Sequence, residues 1–214
     1  MKRIFGIGLL FLFIKTAGLF ATDLSDSDRL FQEATTSVKE KDYGKAIDIF
    51  EKLSGDFEHD AQYNLALILR AGKGKPQDYK AALKWAWLAH LGGIDKAESL
   101  VDDIKGILPD PALKEIRKEV QDFINQRAEL GRLSAIEQMG DYFLIVPEER
   151  QYKDAYLWFL IASAFQIEGT SKKRDNAESE IEGKEILRIQ SKALEKFNKI
   201  SENLGKHVTV TEDK

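Results

Sequence analysis

Tyr79-Lys80-Ala81-Ala82-Leu83-Lys84-Trp85-Ala86-Trp87-Leu88-Ala89 is matched further along the chain by Tyr152-Lys153-Asp154-Ala155-Tyr156-Leu157-Trp158-Phe159-Leu160-Ile161-Ala162. Both read Tyr-Lys, then Ala-x-x-Trp-x-x-x-Ala. At about 100° per residue, positions i, i+3 and i+7 of a helix fall within roughly 60° of one another. Ala82, Trp85 and Ala89, and likewise Ala155, Trp158 and Ala162, therefore form one narrow stripe on each helix. Small residues flanking a large ring let a second helix approach closely while the ring fills the space between. The stripe is expected in a core, and Trp85→Ala is expected to cost about 3–5 kcal/mol. Trp87, about 160° around the helix from Trp85, is the candidate surface anchor.

The duplication reaches beyond this stretch. Ala61-x-x-x-Leu65-Ala66 is echoed by Ala135-x-x-x-Met139-Gly140, and Lys96-Ala97-Glu98 by Asn176-Ala177-Glu178. Each unit thus reads as a helical hairpin followed by a helical spacer. Almost every remaining segment also has helical period, so the fold class is all-α, an α-solenoid of stacked hairpins. Alternation of the β type appears only in His207-Val208-Thr209-Val210-Thr211. Punctuation supports the boundaries. Gly72 and Gly74 stop one helix, Pro76 blocks its continuation, Asp78 caps the next, and Asp110-Pro111 opens a long one.

Composition narrows the function. The chain has 214 residues, no cysteine and a formal charge of −4. Disulfides, thiolate metal sites, a cysteine nucleophile and a lipid anchor on cysteine are excluded. Met1-Lys2-Arg3, the apolar run Ile4 to Ile14 and the small residues of Thr16 to Ala21 read as a secretory signal peptide over 1–21, cleaved after Ala21. The expected location is the periplasm or the outside of a bacterial cell, with an uncleaved membrane tether as the alternative. Cleavage removes Lys2, Arg3 and Lys15 and no acid, taking the charge from −4 to −7. Such an acidic surface argues against a nucleic-acid partner, and no later stretch is apolar enough for stable membrane insertion.

Ala61-Gln62-Tyr63-Asn64-Leu65-Ala66, Gly72-Lys73-Gly74-Lys75-Pro76-Gln77-Asp78-Tyr79 and the Trp85 stripe with Gly92 together resemble a Sel1-like repeat, a relative of the tetratricopeptide repeat. Lys41-Asp42-Tyr43-Gly44-Lys45-Ala46 resembles the second helix of a plain tetratricopeptide unit. The expected organisation is a tetratricopeptide-like hairpin over 27–54, a Sel1-like repeat over 59–93, a helical spacer over 95–130, a diverged repeat over 132–167, a C-terminal helix over 172–204, and a flexible tail over 205–214. The resemblance implies an adaptor or scaffold whose first helices line a concave groove.

Placing Leu65-Ala66 and Met139-Gly140 on buried faces turns Tyr63, Leu67 and Arg70, and Glu137 and Asp141, toward that groove as candidate partner-binding residues. They suggest one groove with an aromatic–apolar end and an acidic end. His59, His90 and His207 lack the spacing of a zinc motif, no nucleophile or nucleotide loop is present, and neither metal nor cofactor is expected. Lys172-Lys173-Arg174 reads as a solvated turn. The functional expectation is a non-enzymatic, exported adaptor that binds a protein or peptide. The alternatives are a periplasmic hydrolase or cell-wall-modifying enzyme, and a structural part of an envelope or motility complex.

Overall fold

A computed structural model describes residues 25–212, with side chains as far as 205; the expected signal peptide lies outside the described residues. Ten α-helices and no strand are found among them. They are α1 (Asp26–Lys39), α2 (Tyr43–Gly55), α3 (His59–Ala71), α4 (Tyr79–Leu91), α5 (Lys96–Lys105), α6 (Asp110–Glu129), α7 (Leu133–Ile145), α8 (Tyr152–Ala164), α9 (Thr170–Glu178) and α10 (Gly183–Glu212). The chain is an all-α stack of helical hairpins: α1 packs on α2, α3 on α4 and α7 on α8.

Local chemistry explains the ends. Ser25 and Asp28 form a reciprocal capping box at α1, while the Asp42 and Asp78 carboxylates accept the Lys45 and Ala81 N–H groups at α2 and α4. Tyr43 and Gly44 form the first turn of α2, which Asp42 caps. Gly72 ends α3 with φ of 64°, a left-handed conformation that costs glycine no Cβ clash.

The structure divides the spacer of each repeat unit into two helices. α7 starts 74 residues after α3 (133 against 59), α8 73 after α4 (152 against 79), α9 74 after α5 (170 against 96) and α10 73 after α6 (183 against 110). Both spacers are therefore parts of a duplicated four-helix unit. In the first unit α6 packs on α4, and in the second α10 packs on α8. The turns keep the same period: Phe57 and Gly131 have φ of 75° and 87°, and Gly93 and Gln166 have 88° and 59°. Side-chain identity hides this, since only two of the four are glycine. The Lys96-Ala97-Glu98 echo in Asn176-Ala177-Glu178 falls out of helix register, because α9 begins at Thr170. The expected single helix over 172–204 is divided by a break at 179–182, and the backbone of α10 continues past Gly205 to Glu212 rather than ending in a tail at 205.

The core runs through both units. Ala61, Leu65, Ala66, Ala82, Ala89, Ala135, Ala155 and Ala162 are each 0% exposed, Met139 is 1% and Trp158 4%. The tryptophans of α4 reverse the expectation. Trp87 is 2% exposed, whereas Trp85 remains partly exposed, its ring meeting Phe123 of α6 edge-on at 5.5 Å. Trp87 is thus a core residue and not a surface anchor. The reason is that α4 packs against α3, α5, α6 and α7, so it has little face left for solvent. Leu83, Ala86, Trp87 and Leu88 complete an apolar surface around most of this helix.

Candidate functional site

The two four-helix units meet at a groove of about 520 Å³. One wall comes from the first unit, with His59 at the start of α3 and His90 to Gly93 at the end of α4. The other comes from Ser134, Glu137, Gln138, Asp141 and Ile145 of α7 and Lys173 of α9. His59 reaches its position because residue 92 is glycine. A Cβ on Gly92 would lie 2.1 Å from His59 Cγ and 2.3 Å from Nδ1, so the backbone at the end of α4 touches the imidazole face directly.

A hydrogen-bonded chain crosses the junction. Gln62 Nε2 donates to the Ser54 carbonyl at 3.1 Å, which leaves Gln62 Oε1 as the acceptor facing His59 Nδ1 at 2.9 Å. Since the Ser54 carbonyl can only accept, the imidazole of His59 carries a proton on Nδ1, and in its neutral form its Nε2 accepts from Gln138 Nε2 at 3.1 Å. The order in that form is Ser54, Gln62, His59, Gln138, with every donor oriented toward α2. At the end of the chain, Gln138 Oε1 is buried and has no partner, in a residue only 5% exposed. His90 Nδ1 is also buried without a partner.

Beside this chain, Lys173 Nζ donates to Glu137 Oε1 at 2.9 Å and to Asp141 Oδ1 and Oδ2 at 2.9 and 2.7 Å. Burial pushes the Asp141 carboxyl above its ordinary value even though Lys173 opposes the shift. Burial also opposes the charge on Lys173, but its bonds to Asp141 and Glu137 prevail and hold its ammonium above the usual range. The expected solvated turn at Lys172-Lys173-Arg174 is helical, within α9, and Lys173 bridges that helix to α7.

The residues expected to share one groove are divided. Glu137 and Asp141 line the groove described here, but Tyr63, Leu67 and Arg70 do not. They lie on the α5 side of α3. Lys96 Nζ sits 5.5 Å from the Tyr63 ring centre, Arg70 pairs with Asp103 at 2.9 Å, and Leu67 is 37% exposed. Since α5 corresponds to α9, the Arg70–Asp103 and Lys173–Asp141 pairs tie equivalent helices in the two units, with the charges reversed. The acidic end is also partly neutralised by Lys173. Gln138, His90, Lys173 and the His59–Gly92 contact had no local sequence signature. Only the placing of Met139-Gly140 on the buried face of α7 had turned Glu137 and Asp141 toward a shared side.

Among the described residues, no group of three or more His, Cys, Asp or Glu side chains could hold a metal ion. No helix among them is long and apolar enough to cross a membrane. A larger groove, about 930 Å³, lies between the start of α6 and the α7–α8 loop. Arg117 there pairs with Glu148 at 2.7 Å, and the Tyr142 hydroxyl donates to the Arg117 carbonyl at 3.0 Å.

No family model matches the chain, and no curated protein matches it. Solved structures do match. One is a protective antigen present in uropathogenic Escherichia coli strains and displaying an SLR (Sel1-like repeat) fold, with 17% identity and a TM-score of 0.35. The match covers 86% of this chain and 48% of that one, so this chain spans about half the length of its structural neighbour.

Proposed function

We propose that this protein is a non-enzymatic helical-repeat adaptor of the bacterial cell envelope, exported by its N-terminal leader and binding a protein or peptide partner in the groove between its two four-helix units. The observation that carries the reading is this junction itself. Helices from both units present an open, polar-lined surface that bears Ser134, Glu137, Asp141 and Lys173. Stacked hairpins display extended surfaces of this kind and place recognition residues on well-packed elements.

Two measurements test the reading. A photoreactive residue placed at exposed Ser134 should capture a specific partner in intact cells, and the partner should bind the purified protein with competition by unlabelled chain. Failure to find any saturable partner would remove the adaptor reading. For export, cell fractionation with N-terminal sequencing of the mature protein should place it outside the cytoplasm and beginning at Thr22. A cytoplasmic chain that retains Met1 would refute that part.

A further inference from the structure

The last helix carries an apolar surface that packing within the chain does not use. Leu187 and Leu194 of α10 are 72% and 62% exposed, the most exposed large apolar side chains among the described residues. Leu194 borders an apolar hollow of about 240 Å³ between α10 and α8, walled also by Leu160, Ala164 and Phe197. With α10 starting 73 residues after α6, the positions matching Leu187 and Leu194 in the first unit are Lys114 and Gln121. The fold therefore accepts polar side chains at these places. In the first unit α7 lies across α6 and touches α4, and Trp87 and Ile124 are 2% and 0% exposed. Their counterparts Leu160 and Phe197 are only partly buried, with no helix after α10 among the described residues. Terminal units of a helical stack ordinarily turn a polar face outward. The opposite end does so, since α1 and α2 expose no large apolar side chain. Head-to-tail stacking of copies thus finds no apolar surface to meet α10, whereas α10 of a second copy supplies one.

Charge beside the leucines selects the direction of pairing. At about 100° per residue, Lys184, Glu195 and Arg188 lie within roughly 40° of one another, on one flank of the leucine strip. Lys184 and Arg188 reach Glu182 and Glu185 of their own chain, but both are exposed and have donors to spare. Glu195 is exposed and makes no ion pair among the described residues. When two α10 helices run antiparallel with Leu187 opposite Leu194 of the other copy, Glu195 of that copy falls opposite position 186. It then stands about 3 Å along the axis from both Lys184 and Arg188. Like flanks face each other in an antiparallel pair, so the contact forms twice about the two-fold axis. A parallel pair would instead turn the charged flank toward Gln190 and Phe197.

We propose that the protein forms a two-fold symmetric dimer through antiparallel α10 helices. Leu187 of each copy covers Leu194 of the other beside the α8 hollow, and Glu195 of each sits between Lys184 and Arg188 of the other. The apolar patch is small, so the dimer is weak, with a dissociation constant on the order of micromolar. None of these residues lines the groove between the two units, so the dimer contact is separate from the partner-binding surface.

Sedimentation of the purified protein from about 1 to about 100 µM, a range that brackets such a constant, should show a reversible monomer–dimer equilibrium. Leu194→Glu, at an exposed position, should keep the wild-type circular dichroism and weaken the dimer by at least about tenfold. Glu195→Lys should weaken it too, and adding Lys184→Glu and Arg188→Glu to the same chain should restore it. Because the chain has no cysteine, single-cysteine variants report the direction of pairing. Ser191→Cys lies beside the two-fold axis and should give a disulfide-linked dimer with an added oxidant. Lys184→Cys should not, since the two copies of position 184 stand about 20 Å apart in the antiparallel register. A monomer at every concentration, a dimer indifferent to Leu194→Glu, or efficient linkage through Lys184→Cys would overturn the proposal. A chain that stays monomeric while another protein occupies α10 would overturn it as well. Partner capture at Ser134 is a separate readout, so the adaptor reading stands or falls independently.

Discussion

Gly140→Ala tests the packing of the second hairpin with an effect opposite to that of helix propensity. Gly140 lies within α7, where replacing glycine by alanine alone should stabilise by about 1 kcal/mol. Its site forbids the extra methyl. A Cβ would stand 2.3, 2.6 and 2.7 Å from three ring carbons of Phe159, against an ordinary contact of 3.4–4 Å. Relieving the shortest overlap requires the ring to retreat by about 1 Å, but Phe159 is 0% exposed and the interior is close-packed. Overpacking of this kind costs about 3 kcal/mol at the upper end of its usual range, so the net loss should be about 2 kcal/mol. Gly55→Ala, also helical but with nothing within 4 Å of the added Cβ, provides the control and should leave stability unchanged or slightly raised. Urea unfolding followed by tryptophan fluorescence should show a lower midpoint for Gly140→Ala. Thermal unfolding should fall by about 4–8 °C, as expected for a domain of this size. If Gly140→Ala proves as stable as the wild type while Gly55→Ala behaves as stated, the α7–α8 packing is wrong.

Three further outcomes are expected. Trp87→Ala should lose about 3–5 kcal/mol through a closed cavity and Trp85→Ala should lose less, because its ring already meets solvent; denaturant midpoints in the reverse order would contradict the burial of α4. Burial pushes the Tyr142 phenol up to about 12, so neutral Tyr142 contributes stability that is present below its unfolded value near 10 and lost as pH rises through the folded one. Tyr142→Phe should accordingly reduce the alkaline loss of stability, and an unchanged alkaline transition measured by circular dichroism would argue against this. Burial opposes ionisation of Glu129, but Lys196, Asn125 and Lys199 outweigh it and hold the carboxyl below its ordinary value. Stability from this α6–α10 link is therefore present above pH 4.5 and lost as pH falls through the lowered value. Lys196→Met should cost under about 1 kcal/mol at neutral pH, the pair being screened by solvent, and the difference should vanish in acid.

Much of the architecture is legible in local chemistry. The Ala-x-x-Trp-x-x-x-Ala stripes, the caps at Asp42 and Asp78 and the stop at Gly72 each specify a helix or its end through groups no more than seven residues apart. The four-helix period is less visible. Its left-handed turn positions are occupied by Phe57 in one unit and Gly131 in the other, and a residue pattern cannot report a backbone angle that two unlike residues share. The aligned small positions Ala66 and Ala86 become Gly140 and Phe159 in the second unit. A large ring is accommodated there by removal of a Cβ on the facing helix, and only the packed hairpin shows that the two changes compensate.

The candidate site was legible only as single helix faces. Sequence placed Glu137 and Asp141 on one side of α7 by setting Met139-Gly140 on its buried face, but grouped them with Tyr63, Leu67 and Arg70, which the fold directs toward α5.

The sequence by itself determined the helices, their principal apolar stripes and the hairpin pairing, because these depend on periodicity and short-range sterics. Tertiary structure decided which tryptophan is buried, since that depends on how many helices surround α4. It also decided that His59, Gln138 and Lys173, distant in the chain, meet at one junction. The Gln62 and His59 Nδ1 hydrogen bonds are oriented by a carbonyl on α2, and the link from His59 to Gln138 exists only once the two units are packed together.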